Sequence, residues 1–182
     1  MSNARNLSKV EVDTNGDIEV GSLGNANDAS ALTTGTLGSA RLPAGSVIQV
    51  VSSLIATGYY RSTASSSYLA SGLSISITPK KADSKILVCF SGADCDNLVG
   101  GRQVYLTIFR DGTVNLGAGS AQSLADYYSD VRTITPLSMS CVDTPNTTSP
   151  VTYEMYVTNA QGACYVSSQS AAFTVYAMEI AQ

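Results

Sequence analysis

Residues 72–79 read GLSISITP: Leu73, Ile75 and Ile77 alternate with Ser74, Ser76 and Thr78, and Pro79 closes the run. Successive side chains of an extended strand point to opposite faces, so this octet has one face to bury and one to wet. A helix would scatter the same residues around its axis. The stretch therefore predicts a β-strand with one covered side, and the same texture recurs around it. VIQVVSSLIA, from Val47, is a strand candidate. SKILVCFSGA, from Ser84, is a denser apolar run, suited to a central strand with both faces covered or to one bordering a subunit interface.

Downstream, RQVYLTIFRDGTVNLGAG predicts a hairpin in which Val104, Leu106 and Ile108 share a face. Asp111-Gly112 supplies the positive φ angles of a type I′ turn, and the return strand is short. TITPLSMSCV and VTYEMYVT follow as strands, residues 159–162 as a turn, and ACYVSS as the run that pairs back. The closing AAFTVYAMEIA sets Phe173, Val175 and Ala177 against Thr174, Tyr176 and Met178, two faces apolar enough to predict cover on both. About eight or nine strands at this spacing predict an all-β fold, an antiparallel β-sandwich of jelly-roll type. SAQSLADYYSDV is the best short helical candidate and amounts to a single turn.

Upstream the texture changes. All ten tyrosines and all three phenylalanines lie after residue 58, so residues 1–45 have almost nothing large to bury. Asn15-Gly16 between VEV and IEV predicts a two-residue hairpin, but one isolated hairpin is marginal in water. In ASALTTGTLGSARLPAGSVIQVV, Ala29–Val51, the leucines Leu32, Leu37 and Leu42 recur every five residues, which suits neither one helix face nor one strand face. Three copies wound about a common axis, with turns at Gly35 or Gly38, would bury them in layers. The alternative is a flexible linker rich in Gly, Thr and Ser. The expected organisation is an anchor at 1–28, a trimeric leucine-layer neck at 29–45 and a β-sandwich head at 46–182.

Composition narrows the chemistry. Charged residues make up 13 % of the chain, about half the usual soluble share of ~25 %. Ten Lys plus Arg against fourteen Asp plus Glu leave a net charge of −4, so no basic field draws in a nucleic acid. Histidine is absent, which removes the commonest general base near neutral pH and the commonest metal ligand. The N-terminal sequence lacks the apolar run of a signal peptide, and no stretch approaches the ~18 apolar residues of a membrane span, so membrane insertion is not expected. Cys89, Cys95, Cys141 and Cys164 are even in number but irregularly spaced, which fits buried thiols better than a disulfide framework.

The ordered combination of the neck stretch, SGLSISITPKKADSKILV and the closing VYAMEIAQ resembles the C-terminal region of tail-fibre-like virion proteins of tailed bacteriophages, especially those of marine and cyanobacterial hosts. The resemblance covers residues 28–88 and the last ten. It implies a non-enzymatic virion structural protein on the exterior of the particle: a homotrimeric short fibre or spike. Other virion proteins of tail or capsid would hold its N-terminal part, and its head would contact a host surface glycan or protein. The alternative is a capsid decoration protein that stabilises the particle without binding a receptor. Long fibres carry hundreds of residues before such a neck and this chain about 28, which suits a short attachment.

Candidate sites are few. Asp94 and Asp96 in GADCDNLVGG, and Asp126 and Asp130 in ADYYSD, are the carboxylate pairs a glycan hydrolase would need. All four sit in loop-like sequence where Asp solvates turns, and the chain has no tryptophan to furnish a saccharide groove. Asp94, Asp96 and Asn97 offer clustered oxygens, but their spacing matches no calcium loop, so neither metal nor cofactor is expected. The pairs Tyr59-Tyr60 and Tyr127-Tyr128 are better candidates for recognition, because a loop tyrosine offers a flat apolar face plus a hydroxyl. Adjacent strand residues point to opposite faces, so in each pair one ring anchors and the other is free for contact. Receptor contact is therefore expected at Tyr127, Tyr128, Asp126, Asp94 and Asp96.

Overall fold

The computed structural model describes residues 42–55, 65–97, 101–119, 121–159, 162–166 and 172–182. They belong to the second of the chain's two units, Met1–Arg41 and Leu42–Gln182. The expected hairpin at Asn15-Gly16, the neck leucines Leu32 and Leu37, and the pair Tyr59-Tyr60 lie outside the described residues, whereas Leu42 is described and half-buried.

Among the described residues ten strands follow in order: β1 (Val47–Ile55), β2 (Ser65–Ile77), β3 (Lys85–Asn97), β4 (Arg102–Arg110), β5 (Val114–Asn115), β6 (Ala125–Ser129), β7 (Thr133–Asp143), β8 (Val151–Asn159), β9 (Cys164–Val166) and β10 (Phe173–Ile180). No helix occurs among the described residues, and residues 121–131 of the helical candidate instead form a turn, β6 and a bend. One antiparallel sheet runs β1-β10-β3-β7 with β9 also on β3; the other runs β2-β8-β4-β5 with β6 also on β4. The chain changes sheet from β1 to β2, β2 to β3, β3 to β4, β6 to β7, β7 to β8 and β8 to β9, which is the jelly-roll path.

Alternation builds the core between the sheets. Leu73, Ile75 and Ile77 of β2 are buried beside Val151, Tyr153, Met155 and Val157 of β8 and Val104, Leu106 and Ile108 of β4. Opposite them lie Ile86, Val88 and Phe90 of β3, Phe173, Val175 and Ala177 of β10, and Leu137 and Met139 of β7. β3 is central, as its density predicts, but full cover on both its faces is not found: Leu87 and Ser91 are half-buried. The cover expected on both faces of β10 is not found in the described head: Thr174 is exposed and Tyr176 and Met178 are half-buried. Two layers bury one face of each sheet, and the second face of β10 looks outward.

The strand register defines two poles. At the first, Val47 pairs with Ile180, Ile180 with Lys85, and Ile86 with Asp143. The chain enters here, with the Gly45 amide donating to the Ala181 carbonyl at 2.8 Å and the Ala181 amide to the Ser46 carbonyl at 2.9 Å. Asp111 and Gly112 both have positive φ, 50° and 67°, and the Thr113 amide closes the turn on the Arg110 carbonyl at 3.1 Å, as that dipeptide predicts. At the opposite pole lie Ile55, Ser65, Asn97, Ser129, Thr133, Asn159 and Phe173.

Buried charge staples the first pole. Glu179, fully buried, accepts the backbone amides of Lys80 and Lys81 on Oε1 at 2.8 and 3.0 Å, and Gln49 Nε2 on Oε2 at 2.6 Å. The closing AMEIA thereby holds the turn that follows SISITP. Nearby, Arg110 Nη1 donates to both carboxylate oxygens of Asp143 at 2.8 Å, and the buried Tyr153 hydroxyl adds a third bond to Asp143 at 2.8 Å.

Candidate functional site

The opposite pole holds a cavity of about 200 Å³ lined by Cys95, Asn97, Asp126, Tyr127, Tyr128, Ser129, Thr133 and Thr135. It lies where β6, from one sheet, faces the ends of β3 and β7, from the other. Hydroxyls, an amide, a carboxylate and two aromatic rings dominate the lining. This volume is below the ~300–1,000 Å³ of a site for a drug-sized ligand, and suits one sugar ring or one side chain.

A bulge decides which β3 residues line it. Ile86, Val88 and Phe90 point inward, and Gly92 pairs with Leu137 while Asp94 pairs with Pro136, so β3 carries one extra residue at this point. Gly92 has φ +105°, and a Cβ there would stand 2.7 Å from the Ala172 carbonyl oxygen, so only glycine fits. Beyond the bulge the parity is reversed. Cys95 and Asn97 turn toward the cavity, while Asp94 and Asp96 leave it.

The loop placement of Asp94 and Asp96 is therefore corrected: both lie in β3 and both are buried. Asp96 is clamped by Arg132, with Nη2 to Oδ2 at 2.7 Å and Nε to Oδ1 at 3.2 Å. The carboxylate beside it lifts the Arg132 guanidinium above its already high range. Asp94 and Asp96 are therefore not open at the surface, as receptor contact would require. Asp126 is also in a strand, β6, and Asp130 follows it in a bend.

Tyr127 and Tyr128 divide as adjacent strand residues must. Tyr127 packs against the core, and its hydroxyl donates to the Pro136 carbonyl at 3.3 Å, tying β6 to β7 across the sandwich. Burial, and after it the neighbouring Cys95, raises its pKa. Tyr128 is 62 % exposed, and its hydroxyl donates to Asp130 Oδ1 at 2.7 Å, which holds the phenol protonated above its usual range. Asp126 accepts a hydrogen bond from Gln103 Nε2. Ser129 Oγ and Thr133 Oγ1 lie 2.7 Å apart across the mouth between β6 and β7.

All four cysteines are free thiols. Burial pushes Cys95 far above its ordinary range, with Cys164, Asp94 and Asp96 adding to the effect. Its sulfur is therefore a neutral wall of the cavity and no nucleophile. Of the four aspartates singled out as possible hydrolytic pairs, only Asp126 lines the cavity. Among the described residues no three His, Cys, Asp or Glu side chains converge to hold a metal ion.

Two participants were hidden in the sequence. Arg132 and Gln103 each pair with an aspartate from another strand, and local spacing carries no signal of that. Glu179 was visible in principle, since it continues the inward parity of Phe173, Val175 and Ala177 and so must be a buried carboxylate. No family model matches the sequence, and no curated protein is significantly similar to it.

Proposed function

We propose that this chain is a virion structural protein of a tailed bacteriophage, a homotrimeric short fibre or spike. Its N-terminal part binds tail or capsid, and its head meets a host surface glycan through the β3-β6-β7 cavity. The observation that carries this reading is polar opposition. The chain enters the sandwich beside Ala181 at one pole, and Tyr127, Tyr128, Asp126 and Ser129 surround the cavity at the other. A hydroxyl-lined depression beside an exposed ring suits a saccharide, which offers hydroxyls to hydrogen-bond and an apolar ring face to stack. Three such sites on one trimer make weak single contacts strong together.

Asp126 and Tyr128 already hold partners within the chain, Gln103 and Asp130, and this favours a second reading, capsid decoration without a receptor. An array of bacterial surface saccharides probed with the purified full chain separates the two. Binding to a subset of saccharides, weakened about tenfold by Tyr128→Ala, is expected for the receptor reading. No binding to any saccharide, together with no competition against phage adsorption, leaves decoration as the role.

A further inference from the structure

The outward faces of the two sheets differ in kind. On the β2-β8 side they carry Ser74, Ser76, Thr152 and Glu154, with Ser76 and Thr152 hydroxyls 2.7 Å apart across the strands, and the aromatic Tyr156 there already stacks on Phe109 of β4 at 4.2 Å. On the other sheet the register lines up Val50, Met178, Leu87 and Val142 in one row across all four strands. The next row is Ser52, Tyr176, Cys89 and Ser140, and the third is Leu54, Thr174, Ser91 and Ser138. None of these residues is charged. Lys85 bounds the field at one end, and the buried Asp94 and Asp96 lie beyond the other. Val50, Leu54 and Val142 are 56, 67 and 57 % exposed.

We infer that this face packs against further copies of the same chain. The inference rests on the homotrimer reading above and adds to it the surface that makes the contact. Area is the first argument. Four strands about 4.8 Å apart and about eight residues long at ~3.3 Å each make a face of about 500 Å². In a closed trimer this face meets a different surface of the neighbouring copy, and together with the matching area there it buries about 1,000 Å², the lower limit for a specific interface. The edge is the second argument. β1 ends the sheet, yet Val47–Ile55 contains no charge and no proline, the usual guards of an open edge. Charge is the third. Copies of net charge −4 repel, and a face without ionic groups lets them meet without desolvating like charges. A charged partner would find no counter-charge there.

Hydroxyl-radical footprinting of the full chain, read beside its mass by sedimentation, tests this. The expected result is a mass three times the 18.9 kDa chain, with labelling lost at Leu54, Tyr176 and Met178 and regained in a Val50→Asp, Val142→Asp double variant. Val50 and Val142 are more than half exposed in one copy, so these changes leave the sandwich folded, which circular dichroism checks. A trimer whose Leu54 and Met178 label freely overturns the face and leaves the homotrimer standing. A monomer with a labelled face overturns both, and a monomer with a protected face overturns the sister copy as occupant.

Discussion

The two poles of the sandwich solve opposite problems with the same residue types. At the pole where the chain enters, each buried carboxylate is saturated: Glu179 by two backbone amides and Gln49, Asp143 by Arg110 and Tyr153. At the far pole one buried carboxylate, Asp96, is likewise held by Arg132, but hydroxyls, the Asn97 amide and Asp126 surround a cavity there, and the exposed Tyr128 stands beside them. Satisfied buried charge rigidifies, because removing any one partner leaves another stranded away from water. A cavity edged with hydroxyls leaves room for a ligand. On the proposed reading one pole stays fixed and the other makes contact.

Breaking the first pole has the largest expected effect. Glu179→Ala strands the amides of Lys80 and Lys81 and costs about 3 kcal/mol, read as a melting temperature lowered by ~6–12 °C. Arg110→Ala leaves Asp143 with Tyr153 as its remaining hydrogen-bond donor and costs about 2 kcal/mol in the same measurement. Equal, small losses from both would mean that this pole is no staple.

Alkali sharpens the contrast through the core thiols. Burial raises Cys141 and Cys164 from the ordinary 9.0 to about 12. The unfolded chain therefore releases these protons first. Below pH ~9 both states keep them and stability does not change on this account; between ~9 and ~12 the unfolded state binds fewer protons, so stability falls as pH rises. The melting temperature should be flat up to pH ~9 and drop above it. Cys164, fully buried, should react with a thiol reagent at pH 8 only after denaturant is added.

The smallest change is expected from Tyr128→Ala. An exposed ring with one local hydrogen bond carries no packing, so thermal melting should stay unchanged while saccharide affinity falls about tenfold. A large drop in melting temperature would make Tyr128 a structural residue and remove it from the contact surface.

The strands were legible because most bury one face, and that leaves a period of two in residues such as Leu73, Ile75 and Ile77. Asp111-Gly112 was legible for a local reason, the backbone angles it permits. The far pole was misread where tertiary contacts override local chemistry. GADCDN looks like a turn, yet pairing with β7 and β9 keeps it in a strand, and Arg132 neutralises the carboxylate that would otherwise forbid burial there. The Gly92 bulge swaps which of its residues face the cavity, and a one-residue insertion in a strand leaves no periodic trace. β6 was hidden for a similar reason, since ADYYS owes its extended form to β4.

The opposition of poles is tested most directly by mapping bound saccharide onto the full chain with backbone amide chemical shifts. Titration with a saccharide selected from the array should move the amides of Asn97, residues 126–129 and residues 133–135, and leave those of Lys80, Lys81 and Glu179 in place. Shifts centred on the Glu179 pole, or spread over both poles alike, would contradict the assignment of anchoring to one end and recognition to the other.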